Sequence, residues 1–194
     1  NWNFQMKHYE DNFAHINLPS LDLQPNYAFT DLTQFNRPEI LNCVEKLLDN
    51  HIKEGRGNNI CIRTFEETWT YQDLFEKANQ IAHVLIDDLG LKSGNRVLIR
   101  SANNPMMVAC WFAVLKAGGI VVATMPLLRS KELTTIIDCA EISHAFCDKE
   151  LEEEMHLVKS NLLKKTCFYG NSQLEELMAS KQKTFDNYHS KSDS

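Results

Sequence analysis

Apolar positions recur along this chain in two rhythms, one suited to strands and one to helices. Short apolar runs bounded by polar residues or glycine predict strands at 96–100 (RVLIR), 120–125 (IVVATM), 144–147 (HAFC) and 166–169 (TCFY). Stretches at 105–117, 130–140, 150–162 and 172–180 carry helical spacing and follow each strand in turn. Upstream, Leu74, Phe75, Ala78, Ile81, Ala82, Leu85 and Leu89 share one helical face. Thr70 and Asp73 open that helix at capping-box spacing, and Gly90 closes it. An earlier helix is predicted from Pro38, with Ile40, Leu41, Val44, Leu47 and Leu48 apolar and Gly55 past its end. Between the two, NICIRTFEETWTY predicts a hairpin turning at Glu66-Glu67. Strands alternating with helices imply right-handed crossovers. The expected fold is therefore α/β, a mostly parallel sheet with helices on both faces, preceded by a small hairpin and an N-terminal extension. The expected division is an extension over 1–36, the α/β unit over 37–180 and a polar linker over 181–194.

Composition narrows the picture. With 43% hydrophobic and 24% charged residues in 194, the chain reads as an ordinary globular protein. A net charge of -6 without a basic face excludes a nucleic-acid footprint, and the acidic run KELEEEM reads as a solvated helix face. The N-terminus lacks the basic start and apolar core of a signal peptide, and it begins with Asn1, so the expectation is a true start further upstream. Six cysteines, at 43, 61, 110, 139, 147 and 167, include no C-x-x-C pair. That pattern favours free thiols in a reducing, cytoplasmic setting over a zinc ribbon or redox dithiol. Cys139, His144 and Cys147 come nearest to a metal cluster, but HAFCD fits a strand better and no metal is expected.

The run from Pro105 to Leu128 has Lys116 as its only charge and invites a membrane reading. Gly118 and Gly119 interrupt it, prolines bound it, and Lys116 near mid-bilayer would cost roughly 2.5–3.5 kcal/mol. A buried helix ended by glycine and followed by a buried strand is the better account, so no membrane contact is expected.

Candidate chemistry is sparse. The G-x-G within EGRGNN and the Gly118-Gly119 pair both follow helices, opposite to the order a phosphate loop needs. Ser101, Asn103 and Asn104 follow a strand end, where α/β proteins bind ligands, but Asn there also suits a helix cap. Arg129 follows a strand and directly precedes a helix, so its guanidinium could meet an anion. No catalytic constellation can be read from spacing.

A family resemblance goes further. WTYQDLFEKANQIAHVL (69–85) is similar to the early Thr-Tyr-x-x-Leu helix motif of the adenylate-forming superfamily, which includes acyl- and aryl-CoA ligases. LKSGNRVLIR (91–100) resembles its Gly-x-x-x-Gly-Asp-Arg-Val segment, with Asn95 where Asp is usual. LKAGGIVVATMPLLR (115–129) resembles its second core motif. The three stand in family order over about 37–147, and NNPMMVACWFAVLKAGGIVVATMPLLR looks closest to aryl-CoA ligases acting on benzoate or 2-aminobenzoate.

The resemblance implies the N-terminal subdomain of an AMP-dependent synthetase. Such an enzyme uses ATP, Mg2+ and coenzyme A to convert a carboxylic acid, through an acyl-adenylate, to a thioester. In the family a Ser/Thr/Gly-rich loop, a ribose-binding Asp and a mobile-domain Lys carry the chemistry, and this chain shows none of them. A catalytically silent piece of a ligase is therefore expected, with self-association through exposed apolar surface. Only Arg129, with Leu128 beside it, inherits a role, near the nucleotide end of coenzyme A. A short- or medium-chain fatty acid as substrate, or a non-catalytic interaction module, are the alternative readings.

Overall fold

The computed structural model describes residues 9–24 and 40–190. A short helix α1 (Phe13–Ile16) is followed by a helical stretch whose wide turn at Glu45–Asp49 runs into α2 (Asn50–Lys53). Strands β1 (Ile60–Arg63) and β2 (Thr68–Thr70) pair antiparallel and lead into α3 (Tyr71–His83), prolonged by a wide turn at Val84–Asp88. Then β3 (Arg96–Arg100), α4 (Pro105–Lys116), β4 (Ile120–Thr124), α5 (Ser130–Cys139) and β5 (His144–Asp148) alternate. α6 (Glu152–His156), β6 (Lys165–Tyr169) and α7 (Gln173–Met178) complete the series.

The last four strands form one sheet in the order β4-β3-β5-β6, with every pair parallel. The two-residue period of a strand sends alternate side chains to opposite faces, and each face has its own core. Val97, Ile99, Phe146 and Cys167 face a cluster built with Ala78, Ile81, Ala109 and Val114 of α3 and α4 and Leu174 of α7. Leu98, Ala145 and Cys147 face Leu133 and Ile137 of α5 and Met155 of α6. Helices cover both faces, as the alternation predicts.

Local signals hold at several joints. Thr70 Oγ1 accepts from Asp73 N at 3.2 Å while Asp73 Oδ2 accepts from Thr70 N at 2.8 Å, the reciprocal capping box expected there. Gly118 ends α4 at φ +78, and a Cβ built on it would lie 2.5 Å from Tyr188 Cγ. The run 105–128 thus folds as helix, glycine turn and strand. Among the described residues no helix is long and apolar enough to cross a membrane.

Three expectations differ from the structure. Pro38, the predicted helix start, lies outside the described residues, and Leu47, assigned to the apolar face, is 57% exposed. The helix predicted at 150–162 is only a short turn, Lys149–Leu151, followed by α6. After α6 the chain leaves helical pairing and bonds across to α5. Lys159 N donates to Thr134 Oγ1 at 3.2 Å, and Ser160 Oγ to Asp138 Oδ1 at 2.6 Å. The polar stretch expected as a linker is fastened over residues 181–190. Asn79 Nδ2 donates to Lys183 O at 2.8 Å, Tyr188 N to Lys116 O at 2.8 Å and Leu41 N to Ser190 O at 2.9 Å.

That strap covers a buried charge. Lys116 is fully buried, its Nζ 2.7 Å from Asp49 Oδ1 and 3.1 Å from Asn187 Oδ1, and 4.9 Å over the Phe75 ring. Burial pulls its ammonium below the ordinary lysine value, and the Asp49 carboxylate opposes that pull.

Candidate functional site at the carboxyl edge of the sheet

Parallel strands release their loops at one edge, and here the loops after β3, β4, β5 and β6 converge. Arg100 ends β3, pointing from the strand into the loops; it is buried, at 2% exposure. Its Nη2 donates to Pro126 O at 3.1 Å, its Nη1 to Met125 O at 3.4 Å and its Nε to Leu151 O at 3.4 Å. Asn104 caps α4, accepting from Met107 N at 2.9 Å, so the cap expected there is formed. Its amide also donates to Asp148 Oδ2 at 2.8 Å and to Ser101 Oγ at 3.3 Å. Asn103 is exposed. Beneath them, Tyr169 is 1% exposed and its hydroxyl meets no partner at hydrogen-bond geometry. Burial raises that hydroxyl's pKa, tempered by Ser101 and Asn104 beside it.

Arg129 stands at the start of α5, as expected, with its side chain 80% exposed. The helix N-terminus itself is taken by this chain's own carboxylates. Glu154 Oε2 accepts from Ser130 N at 2.8 Å and Glu132 Oε2 from Arg129 N at 3.2 Å. Glu154 Oε1 also lies 3.6 Å from Arg129 Nη1. The bond from Ser130 N, with Arg129 and Arg100 nearby, holds the Glu154 carboxyl below its usual range. An outside anion would therefore meet the guanidinium of Arg129 rather than the helix end. Leu128 is half-buried against the α5–α6 cluster and anchors the loop from which Arg129 projects.

The structure scatters the residues weighed for a metal. Cys139 is exposed, Cys147 is buried with its thiol pushed up to about 12 by burial, and His144 bonds Leu89 O at 3.1 Å. Among the described residues no three His, Cys, Asp or Glu side chains gather to hold an ion. A half-open cleft of about 270 Å³ lies away from this edge, between α2 and the strap, and its Asp49 and Asn187 are committed to Lys116.

Sequence reading missed Arg100 and Glu154. The signal for Arg100 was present: a cation at the end of a buried strand must find polar partners. Glu154 was hidden in a run read as solvated, and its capping role needs α5 and α6 side by side.

Open α/β sheets bind ligands in the crevice at the carboxyl ends of their strands, and the loops at that edge here present the exposed guanidinium of Arg129. The chain belongs to the AMP-binding enzyme family, whose model matches residues 48–193. It is 33% identical over 85 residues to an uncharacterized acyl–CoA ligase of Bacillus subtilis (strain 168), covering 44% of this chain and 16% of that protein. An anthranilate CoA ligase solved in complex with anthranoyl-AMP superposes with a TM-score of 0.74 at 20% identity, over 80% of this chain and 30% of that one. A benzoate CoA ligase from Burkholderia xenovorans LB400 gives a TM-score of 0.66 at 18% identity, over 73% and 29%. At such identity the likeness is one of fold.

Proposed function

We propose that this chain is the amino-terminal part of an ATP-dependent carboxylate–CoA ligase acting on an aromatic acid such as benzoate or 2-aminobenzoate. The observation that carries the reading is the match of residues 48–193 to AMP-binding enzymes. The aromatic substrate is supported by the wording of residues 103–129 and by the likeness in fold to ligases for anthranilate and benzoate. In the proposed reaction a carboxylate oxygen attacks the α-phosphorus of ATP and pyrophosphate leaves. The thiolate of coenzyme A then attacks the acyl carbon of the adenylate, and AMP leaves.

The described residues offer no cation site and no phosphate cradle, so neither step is assigned to them. Their contribution is the layered scaffold and the loop after β4, where Arg129 would meet the nucleotide phosphates of coenzyme A beside Leu128. On their own these 194 residues are expected not to turn over, and their exposed Met125 (60%) and Leu127 (83%) favour self-association. The setting we propose is cytoplasmic.

The test is AMP release by the full-length protein, supplied with ATP, Mg2+, coenzyme A and a panel of aryl and alkyl carboxylates. Turnover of benzoate or 2-aminobenzoate above hexanoate supports the reading. Alkyl-only turnover overturns the aromatic substrate, and a full-length protein inactive on the whole panel overturns the ligase.

A further inference from the structure

Arg100 sits where one side chain reaches two loops. Met125 and Pro126, whose carbonyls it bonds at 3.4 and 3.1 Å, lie between β4 and Arg129. Leu151, bonded at 3.4 Å, closes the turn that opens α6. Three residues further on, Glu154 takes Ser130 N at 2.8 Å and faces Arg129 at 3.6 Å. The segment 125–130 is therefore bracketed, by Arg100 at its start and by Glu154 at its end. No described carboxylate forms an ion pair with Arg100, so its N–H groups are spent on backbone. A planar guanidinium supplies donors in several fixed directions at once, which an ammonium on a flexible stem does not.

We infer that Arg100 is the positioning residue of the coenzyme A contact: it fixes the 125–130 loop against the α6 turn, so that Arg129 presents its guanidinium at one place. This inference rests on the reading of Arg129 as a phosphate contact. Arg100 itself is too buried to touch the ligand. Its effect reaches the reaction through the loop, and the loop serves the thioester step rather than adenylation.

The experiment uses the full-length protein with Arg100→Lys and Arg129→Ala. For each, KM for coenzyme A and KM for ATP are measured, together with hydrogen exchange at the amides of 127–130. Both variants are expected to raise KM for coenzyme A roughly tenfold while KM for ATP moves less than about twofold. Exchange at 127–130 should quicken in Arg100→Lys and stay close to wild type in Arg129→Ala. Glu154→Gln loosens the same bracket from its other end without disturbing the sheet, and it should reproduce the coenzyme A effect if Arg100→Lys fails to fold. An unchanged KM for coenzyme A in Arg129→Ala overturns the phosphate contact, and the inference with it. A raised KM there with none in Arg100→Lys, an equal rise in KM for ATP in Arg100→Lys, or unchanged exchange at 127–130 in that variant overturns the positioning role alone.

Discussion

Strand β3 carries a buried arginine at each end, and the two ends of the sheet use them differently. Arg96, at the amino edge, makes four short bonds. Its Nη1 lies 2.6 Å from Asp11 Oδ2 and 2.9 Å from Gly94 O, and its Nε and Nη2 bond Ala140 O and Glu141 O at 2.8 Å each. Its guanidinium also stacks 4.4 Å from the Phe13 ring. Arg100, at the carboxyl edge, has three longer bonds to carbonyls. The amino edge carries the second buried cation too, Lys116 with Asp49, and both are closed over by segments distant in sequence, α1 and the 181–190 strap. The amino edge neutralises its buried charge internally and is scaffold. The carboxyl edge leaves a cation exposed at Arg129 and a buried hydroxyl unpartnered at Tyr169.

The contrast can be broken most severely at Lys116. Lys116→Met strands Asp49 against a buried apolar side chain and is expected to cost about 3–5 kcal/mol in urea unfolding. The double variant Lys116→Met with Asp49→Leu should recover much of that loss, since no charge is then left behind. A single variant within about 1 kcal/mol of wild type would show that the strap does not depend on the pair.

The two arginines give the next test. Arg96→Met leaves the Asp11 carboxylate and three carbonyls behind, and about 2–3 kcal/mol is expected. Arg100→Met leaves only carbonyls near the surface, which water can reach, and about 1 kcal/mol is expected. Equal losses would erase the distinction between the edges.

The smallest effects concern Asp11. Burial alone would raise its carboxyl, but the bonds from Phe13 N, Arg96 and Asn95 outweigh that and hold it below its ordinary value of 3.8. The stability it contributes is therefore complete above 3.8 and is lost as pH falls through the lower folded-state value. Asp11→Asn should flatten the acid limb of the stability profile. Asn95, which stands where the family usually has Asp, donates its amide to Asp11 Oδ2 at 2.8 Å. An aspartate there would set two carboxylates face to face. Asn95→Asp should cost about 0.5–1 kcal/mol, less in high salt, and a gain in stability would contradict this account.

Much of this molecule is local and therefore legible in its sequence. The strand at 96–100, the capping box at Thr70 and Asp73, the Asn104 cap and the glycine joint at 118 each depend on residues a few positions apart. So does the alternation that sends Val97 and Ile99 to one core and Leu98 to the other, which makes the fold class readable before any contact is known. At the carboxyl edge, spacing put Asn104 at a helix cap and Arg129 at a strand–helix junction, while the coenzyme A role of Arg129 comes from resemblance alone and stands as a proposal. What lay beyond it depends on pairs far apart in the chain. Lys116 and Asp49 are 67 residues apart, Arg96 and Asp11 85, Asn79 and Lys183 104. Hydrophobic patterning says which face is buried but not which polar group is brought there to meet a charge, and nothing in KQKTFDNYHS distinguishes a strap from a linker until Lys116 needs a cover. The sequence determined the strands, most of the helices and their layering, though not the shortening of the helix expected at 150–162 to α6. The closed amino edge and the bracket around Arg129 were decided only when folding placed those distant groups within hydrogen-bond reach.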